Sequence, residues 1–320
     1  MIKQRIKASM LLAAILLALL YMPTGLARAD NGPHGSYTAL TDACAGCHRA
    51  HTATAARLLI DSVPNLCYSC HGSIGTGADT NVVDGIYLER DAVDENPDEG
   101  VTSRGLKGGG FVNATMDTNY DGSSAPAAVT SNHLSDGSTG TAWGNGAIGS
   151  GPGATISLSC ISCHDPHGRA GTGGVATYRL LRAFPIGSGA GSGVNVTDQN
   201  TKYYVVSDPD NQYYGENYAT RTAPLSNWCA QCHTRYSAGT GSGSTNSGDP
   251  IFTYRHMTTA AGSSGPACLN CHVAHGSAAT MGTYSGAVAW PDGATIPNSN
   301  NRSSLLRVDN RGVCELCHMK

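Results

Sequence analysis

All twelve cysteines of this 320-residue chain fall in six copies of Cys-x-x-Cys-His. The copies are Cys44, Cys47, His48; Cys67, Cys70, His71; Cys160, Cys163, His164; Cys229, Cys232, His233; Cys268, Cys271, His272; and Cys314, Cys317, His318. This pattern attaches c-type haem. Each thiol forms a thioether to one vinyl group, and the histidine binds iron from one face. Zinc sites close on four ligands from paired Cys-x-x-Cys units and need no histidine after each pair. A redox dithiol would occur once, in a βαβ setting. A disulfide framework suits an exported chain but does not explain why histidine follows the second cysteine six times out of six.

Six further histidines remain: His34, His51, His133, His167, His256 and His275. Six irons therefore have six candidate ligands for their second face, and twelve histidines are candidate iron ligands. Such a set suits electron transfer. A multihaem reductase would need an iron with an open position, often marked by lysine in place of the motif histidine, and every motif here ends in histidine. Met257, beside His256, is the alternative donor that would raise a potential.

The histidines follow one grammar three times: a lone histidine, then Cys-x-x-Cys-His-x-x-His, then a plain Cys-x-x-Cys-His. The copies span about 34–71, 133–233 and 256–318, a triplicated two-haem unit. Residues three apart on a helical turn share a face, whereas axial ligands need opposite faces of one porphyrin. His48 and His51 therefore do not clamp a single iron, nor do His164 and His167, or His272 and His275. The simplest assignment gives His51 to the His71 haem, His167 to that of His233 and His275 to that of His318. His34, His133 and His256 then serve the haems of His48, His164 and His272. In a second scheme the lone histidines act on the preceding repeat, His133 on the His48 haem and His256 on the His164 haem. His34 is then left for the His272 haem of another molecule, and such a head-to-tail contact builds a filament.

The elements that must hold these groups are sparse. Residues 1–29 read as a signal peptide: Lys3, Arg5 and Lys7, an apolar stretch from Met10 to Leu20, and a small-x-small site at Ala27-Arg28-Ala29. Residues 30–320 are expected to form one haem-binding domain. Cleavage removes four basic residues and no acidic one, so the formal charge falls from −3 to −7, which argues against a nucleic-acid partner. The chain has 41 glycines, three phenylalanines and 13% charged residues, too little apolar bulk for an ordinary core of this length. The expected fold is mostly irregular coil with short helices and a few short strands around stacked haems, which supply much of the apolar interior. Helical turns are expected near the motifs, for example at Thr52–Leu59, and strand-like runs at Thr177–Leu181 and Tyr203–Ser207. Residues 72–132, with Gly108-Gly109-Gly110 and an acidic run from Asp91 to Glu99, and residues 135–155 carry loop chemistry.

The paired grammar resembles the doubled-CxxCH multihaem cytochromes, and closer still the filament-forming extracellular cytochromes of metal-reducing bacteria (the OmcS and OmcE type). Gly32-Pro33-His34-Gly35, Cys44–His51, Ser159–Gly168 and the six motifs carry the resemblance. It implies a continuous stack of six bis-histidine haems and no enzyme activity. It also implies an N-terminal histidine that ligates a haem of the adjacent subunit, a role falling on His34 with the His272 haem of the neighbour. The implied partners are identical subunits, other cytochromes and extracellular electron acceptors. The implied location is extracellular or at the cell surface, otherwise periplasmic. A monomeric electron shuttle with the same haems is the alternative.

Overall fold

In a computed structural model, five of the motifs show a helical hydrogen bond from the motif histidine back to the first cysteine, and the second motif lies within a longer helix. The histidine N–H donates to the carbonyl of the first cysteine at 2.8 Å for His48, 3.0 Å for His164 and His272, 3.1 Å for His233 and 2.9 Å for His318. This bond brings both thiols to one side of the turn, and the helix ends at the histidine in the third and fifth motifs. The structure describes residues 34, 42–72, 78, 80–87, 104–106, 108–119, 125–167, 180–183, 185, 225–238, 246–258, 266–282, 290–293, 303–315 and 318. The chain divides into two units, Met1–Ser36 and Tyr37–Lys320. His34 alone is described in the first, so the leader lies outside the described residues. The elements below belong to the second.

Among the described residues, short α-helices that carry motif cysteines include α1 Val63–His71, α2 Cys160–Cys163, α3 Cys268–Cys271 and α4 Gly312–Glu315, and residues 225–229 form a further helical turn that carries Cys229. α1 begins with a proline in its first turn, where the missing N–H costs nothing. In α2 and α3 the residue before the second cysteine reaches back over the turn. Ser162 Oγ accepts from the Ser159 N–H at 3.0 Å, and Asn270 Oδ1 from the Ala267 N–H at 2.8 Å. Around the first motif the helix is of the 3₁₀ type, Asp42–Gly46, and the run expected as helical at Thr52–Leu59 is reduced to a 3₁₀ turn at Ala56–Leu58.

Among the described residues the strands are short and antiparallel. β1 Thr80–Asn81, β2 Ile86–Tyr87 and β3 Arg104–Gly105 form one sheet in that order. β4 Asn113–Thr115 pairs with β5 Pro126–Ala128. β6 Ser131–Asn132 pairs with a strand distant in sequence, β9 Gly276–Ser277. β7 Asp136–Trp143 and β8 Gly153–Ser159 make the longest ladder, with a register shift between Asp136 and Thr139. That hairpin corrects the expectation of a loop over 135–155. β7 is rich in Ser, Thr and Gly and mostly exposed, whereas β8 alternates Ala154, Ile156 and Leu158 with Thr155, Ser157 and Ser159, the period of a strand.

Buried apolar side chains among the described residues are few and mostly small, with Met281 and Trp290 the largest near-complete burials. The most heavily bonded buried charge is Arg235. Its guanidinium donates to both Asp249 oxygens at 3.1 and 2.9 Å, and to the carbonyls of Ala147 and Gly151 at 2.9 Å each. It thereby fastens the β7–β8 turn beside the fourth motif. Gly144, at φ +72°, lies under the Tyr236 ring, which a Cβ would meet at 2.7 Å.

Candidate functional site

Among the described residues, eight histidine rings stand in four pairs. His48 and His167 lie with centroids 6.0 Å apart and planes at 16°. His133 and His233 are 6.3 Å apart, His164 and His275 6.4 Å, and His256 and His318 6.2 Å. Each pair joins one motif histidine to one of the six others. These are not the pairs of the simplest assignment or of the second scheme. His167 faces His48 rather than His233, and His275 faces His164 rather than His318. His133 and His256 face the second motif histidine of their own repeats. His51 and His272 stand in no imidazole pair among the described residues, and His51 is exposed.

The backbone explains the difference. His164 and His272 are extended, at φ −109°, ψ 146° and φ −116°, ψ 157°, so His-x-x-His does not continue the helix. Along an extended segment, residues three apart point to opposite sides. His167 and His275 are therefore carried away from their own motif and back to the first motif of the preceding repeat. The β6–β9 ladder sets two spare histidines side by side. His133 N–H donates to the His275 carbonyl at 2.8 Å, and His133 Nδ1 meets the Ala274 carbonyl at 2.6 Å. Gly108-Gly109-Gly110, expected as plain loop, closes over this place. His275 N–H donates to the Gly108 carbonyl at 2.7 Å, and a Cβ on Gly108 would come to 3.0 Å from His275 Nδ1. Phe111 stacks on the same ring at 4.7 Å.

Four of the motif histidines are held through Nδ1. That atom meets the Arg57 carbonyl at 2.9 Å in His48, Thr80 Oγ1 at 2.8 Å in His71, the Trp143 carbonyl at 2.6 Å in His233 and the Ser304 carbonyl at 2.8 Å in His272. A backbone carbonyl only accepts, so the proton sits on Nδ1 of His48, His233 and His272, and Nε2 keeps a free lone pair. This is the usual outer bond of a metal-ligating imidazole. Desolvation, with His133 nearby, lowers the pKa of His233 to about 4. Desolvation, with His164 nearby, lowers that of His275 to about 3. His133, His256 and His272 are shifted down for the same first reason. All five stay neutral near pH 7, the form that binds metal.

The eleven described cysteines are all unbridged. Cys67 and Cys160 are hydrogen-bond partners, and the bond raises Cys67 and lowers Cys160. Cys229 and Cys268 form the same kind of contact, which brings Cys268 down to about 7. Burial, followed by the neighbouring Cys232, pushes Cys163 up to about 12. These contacts set the second motif against the third and the fourth against the fifth. Free thiols three apart, neutral imidazoles with Nδ1 engaged and a small apolar interior all fit haem.

Residues 37–76 match the family described as Doubled CXXCH motif. The match supports a multihaem c-type cytochrome. It therefore supports electron transfer through covalently bound haem, iron included, although some multihaem cytochromes are enzymes. It spans the first two motifs. Neither the curated proteins nor the solved structures hold a match to the chain. Among the described residues, no helix is long and apolar enough to cross a membrane.

Two features escaped sequence reasoning. One is the Gly108–Gly110 cover over His275. The other is a Leu-Leu segment that bridges to the first motif histidine of each repeat, at His48 with Leu59, His164 with Leu181 and His272 with Leu306. Its signal was present as Arg57-Leu58-Leu59, Arg179-Leu180-Leu181 and Ser304-Leu305-Leu306.

Proposed function

We propose that the chain is a six-haem, bis-histidine cytochrome that conducts electrons as the subunit of an extracellular filament. The four imidazole pairs carry this reading. Two rings on one metal, each with a bond of about 2 Å and roughly 1 Å from nitrogen to ring centre, put the centroids roughly 6 Å apart. The four separations run from 6.0 to 6.4 Å. Bound haem supplies a one-electron Fe(III)/Fe(II) couple tuned by its axial ligands and burial. The chain's own part is to present two neutral Nε2 atoms to each iron and to hold successive motifs against one another.

The pairs define a rule. The lone histidine of a repeat serves the second motif of that repeat, and the second histidine of His-x-x-His serves the first motif of the repeat before it. The rule assigns His34 to the His71 iron. Within the three repeats the rule leaves His51 and the His272 iron without assigned partners. His51 of one copy therefore completes the His272 site of the next, which moves the joining role from His34 to His51. Such a contact is heterologous and propagates without closing. The formal charge of −7 expected after leader removal keeps the subunit soluble and suits basic partners or positively charged mineral.

Cryo-electron microscopy of the secreted holoprotein tests this. A filament with His51 bound across the subunit boundary supports it. A monomer whose His272 iron is six-coordinate from its own chain overturns the filament.

A further inference from the structure

The first motif of each repeat meets the same device, built from very different lengths of chain. In the first repeat, Arg49 N–H donates to the Leu58 carbonyl at 2.8 Å and Ile60 N–H to the Cys47 carbonyl at 3.0 Å. In the second, Asp165 N–H donates to Leu180 at 2.8 Å and Arg182 N–H to Cys163 at 2.9 Å. In the third, Val273 N–H donates to Leu305 at 2.8 Å and Arg307 N–H to Cys271 at 2.9 Å. The bridging leucine follows the histidine by 11, 17 and 34 positions respectively. Lengthening a loop costs little, so the spacer varies while the contact stays the same.

The residues before the bridging leucine are left-handed: Arg57 at φ 63° and Leu58 at φ 59°, Leu180 at φ 57°, Ser304 at φ 54° and Leu305 at φ 61°. None is glycine, asparagine or aspartate, the residues that reach this region readily. A strained backbone kept in several places by unsuited residue types has a use there. The turn aims a carbonyl at the histidine. Arg57 O lies 2.9 Å from His48 Nδ1, and Ser304 O lies 2.8 Å from His272 Nδ1. Two of the plain motifs use other partners: His71 meets a threonine hydroxyl and His233 the Trp143 carbonyl. The segment also runs on towards the second motif of its repeat. Trp228 Nε1 donates to the Arg182 carbonyl at 2.7 Å, and Gln231 Nε2 to the Ala183 carbonyl at 3.0 Å.

We infer that the left-handed Leu-Leu turn is a positioning element for the first haem ligand of each repeat. It fixes the Nδ1–H tautomer, aims Nε2 and strengthens it as a donor, and so holds that iron at a lower potential than a loosely held imidazole would. This rests on the proposal that His48 binds iron. A stronger donor favours Fe(III), so loss of the carbonyl raises the potential.

The test uses Arg57→Val and Arg57→Gly in the full-length holoprotein. Both remove the same charge. Valine is β-branched and resists the left-handed region, whereas glycine accepts it. His48 pairs within its own chain, so filament assembly does not enter. Haem is counted by mass and pyridine haemochrome, and a low-spin six-coordinate spectrum checks the ligation itself. With six haems retained, Arg57→Val is expected to shift one sixth of the redox titration to more positive potential and to move one set of electron paramagnetic resonance g-values. Arg57→Gly is expected to shift neither to the same extent. Equal behaviour of the two variants overturns the inference, while a missing haem or a high-spin wild type counts against the ligation reading instead. Should Arg57→Val fail to load haem, ¹⁵N-histidine-labelled wild type decides. His48 and His272 must show a hydrogen-bonded Nδ1–H, and fast-exchanging protons there overturn the inference.

Discussion

The His48 and His167 rings lie 6.0 Å apart and 16° from parallel, although they come from different repeats. Each end of this pair is tied to its own backbone, His48 through the Arg57 carbonyl and His167 through its N–H, which donates to Asp165 Oδ1 at 3.1 Å. The pair joins two stretches of chain that share no strand ladder.

Under the proposed pairing, His167→Ala should alter the His48 iron and leave that of His233 unchanged. We expect one sixth of the low-spin signal to become high-spin while all haems stay attached, because thioether formation does not use His167. Assigning the altered haem by its histidine resonances checks this. Perturbation of the His233 site would restore the within-repeat assignment.

His51→Ala and His34→Ala separate the two candidates for the joining role. The first should abolish filaments and leave monomers with one high-spin haem. The second should leave filaments in place and alter the His71 haem. Negative-stain images with magnetic circular dichroism distinguish all four outcomes.

Acid should loosen the fold over a defined window. The native pKa values of His233 and His275 are lowered to about 4 and about 3 from 6.5, so the unfolded chain binds protons first as pH falls. The stability these neutral histidines contribute is complete above pH 6.5 and declines as pH drops towards 4. Iron on Nε2 acts in the same direction. Denaturant midpoints at pH 7.5 and 5 should show the loss, and a flat profile would contradict the burial of these rings.

Arg235→Met should destabilise the chain by roughly 3–5 kcal/mol, because it leaves Asp249 buried without its partner. The side chains of the pair are 4% and 6% exposed. The Arg235→Met, Asp249→Leu double variant should recover much of the loss. Urea unfolding followed by Trp143 and Trp290 fluorescence measures both.

The twelve motif cysteines and the spare histidines were legible as chemistry, because covalent attachment demands a fixed local spacing. The sparse, mostly irregular fold was legible from glycine content and the shortage of apolar bulk. The histidine partners were not, since they depend on backbone direction after the motif. A helical continuation was assumed where His164 and His272 turn extended. The β7–β8 hairpin was masked by its glycine, serine and threonine content, although Ala154, Ile156 and Leu158 alternate along β8. The Leu-Leu turns hid because two residues at variable distance give no periodicity. The strand-like run at Tyr203–Ser207 and the acidic run at Asp91–Glu99 lie outside the described residues.

The cysteine contacts carry a consequence for biogenesis. Cys67 touches Cys160 and Cys229 touches Cys268, each across two motifs. A sulfur can join a vinyl carbon or another sulfur, but not both. In an oxidising compartment, docking before loading would place these thiols where cross-linking competes with thioether formation. On the proposed haem ligation, installing each porphyrin while its segment is still open keeps these thiols from cross-linking, and the segments then come together over cofactors already in place.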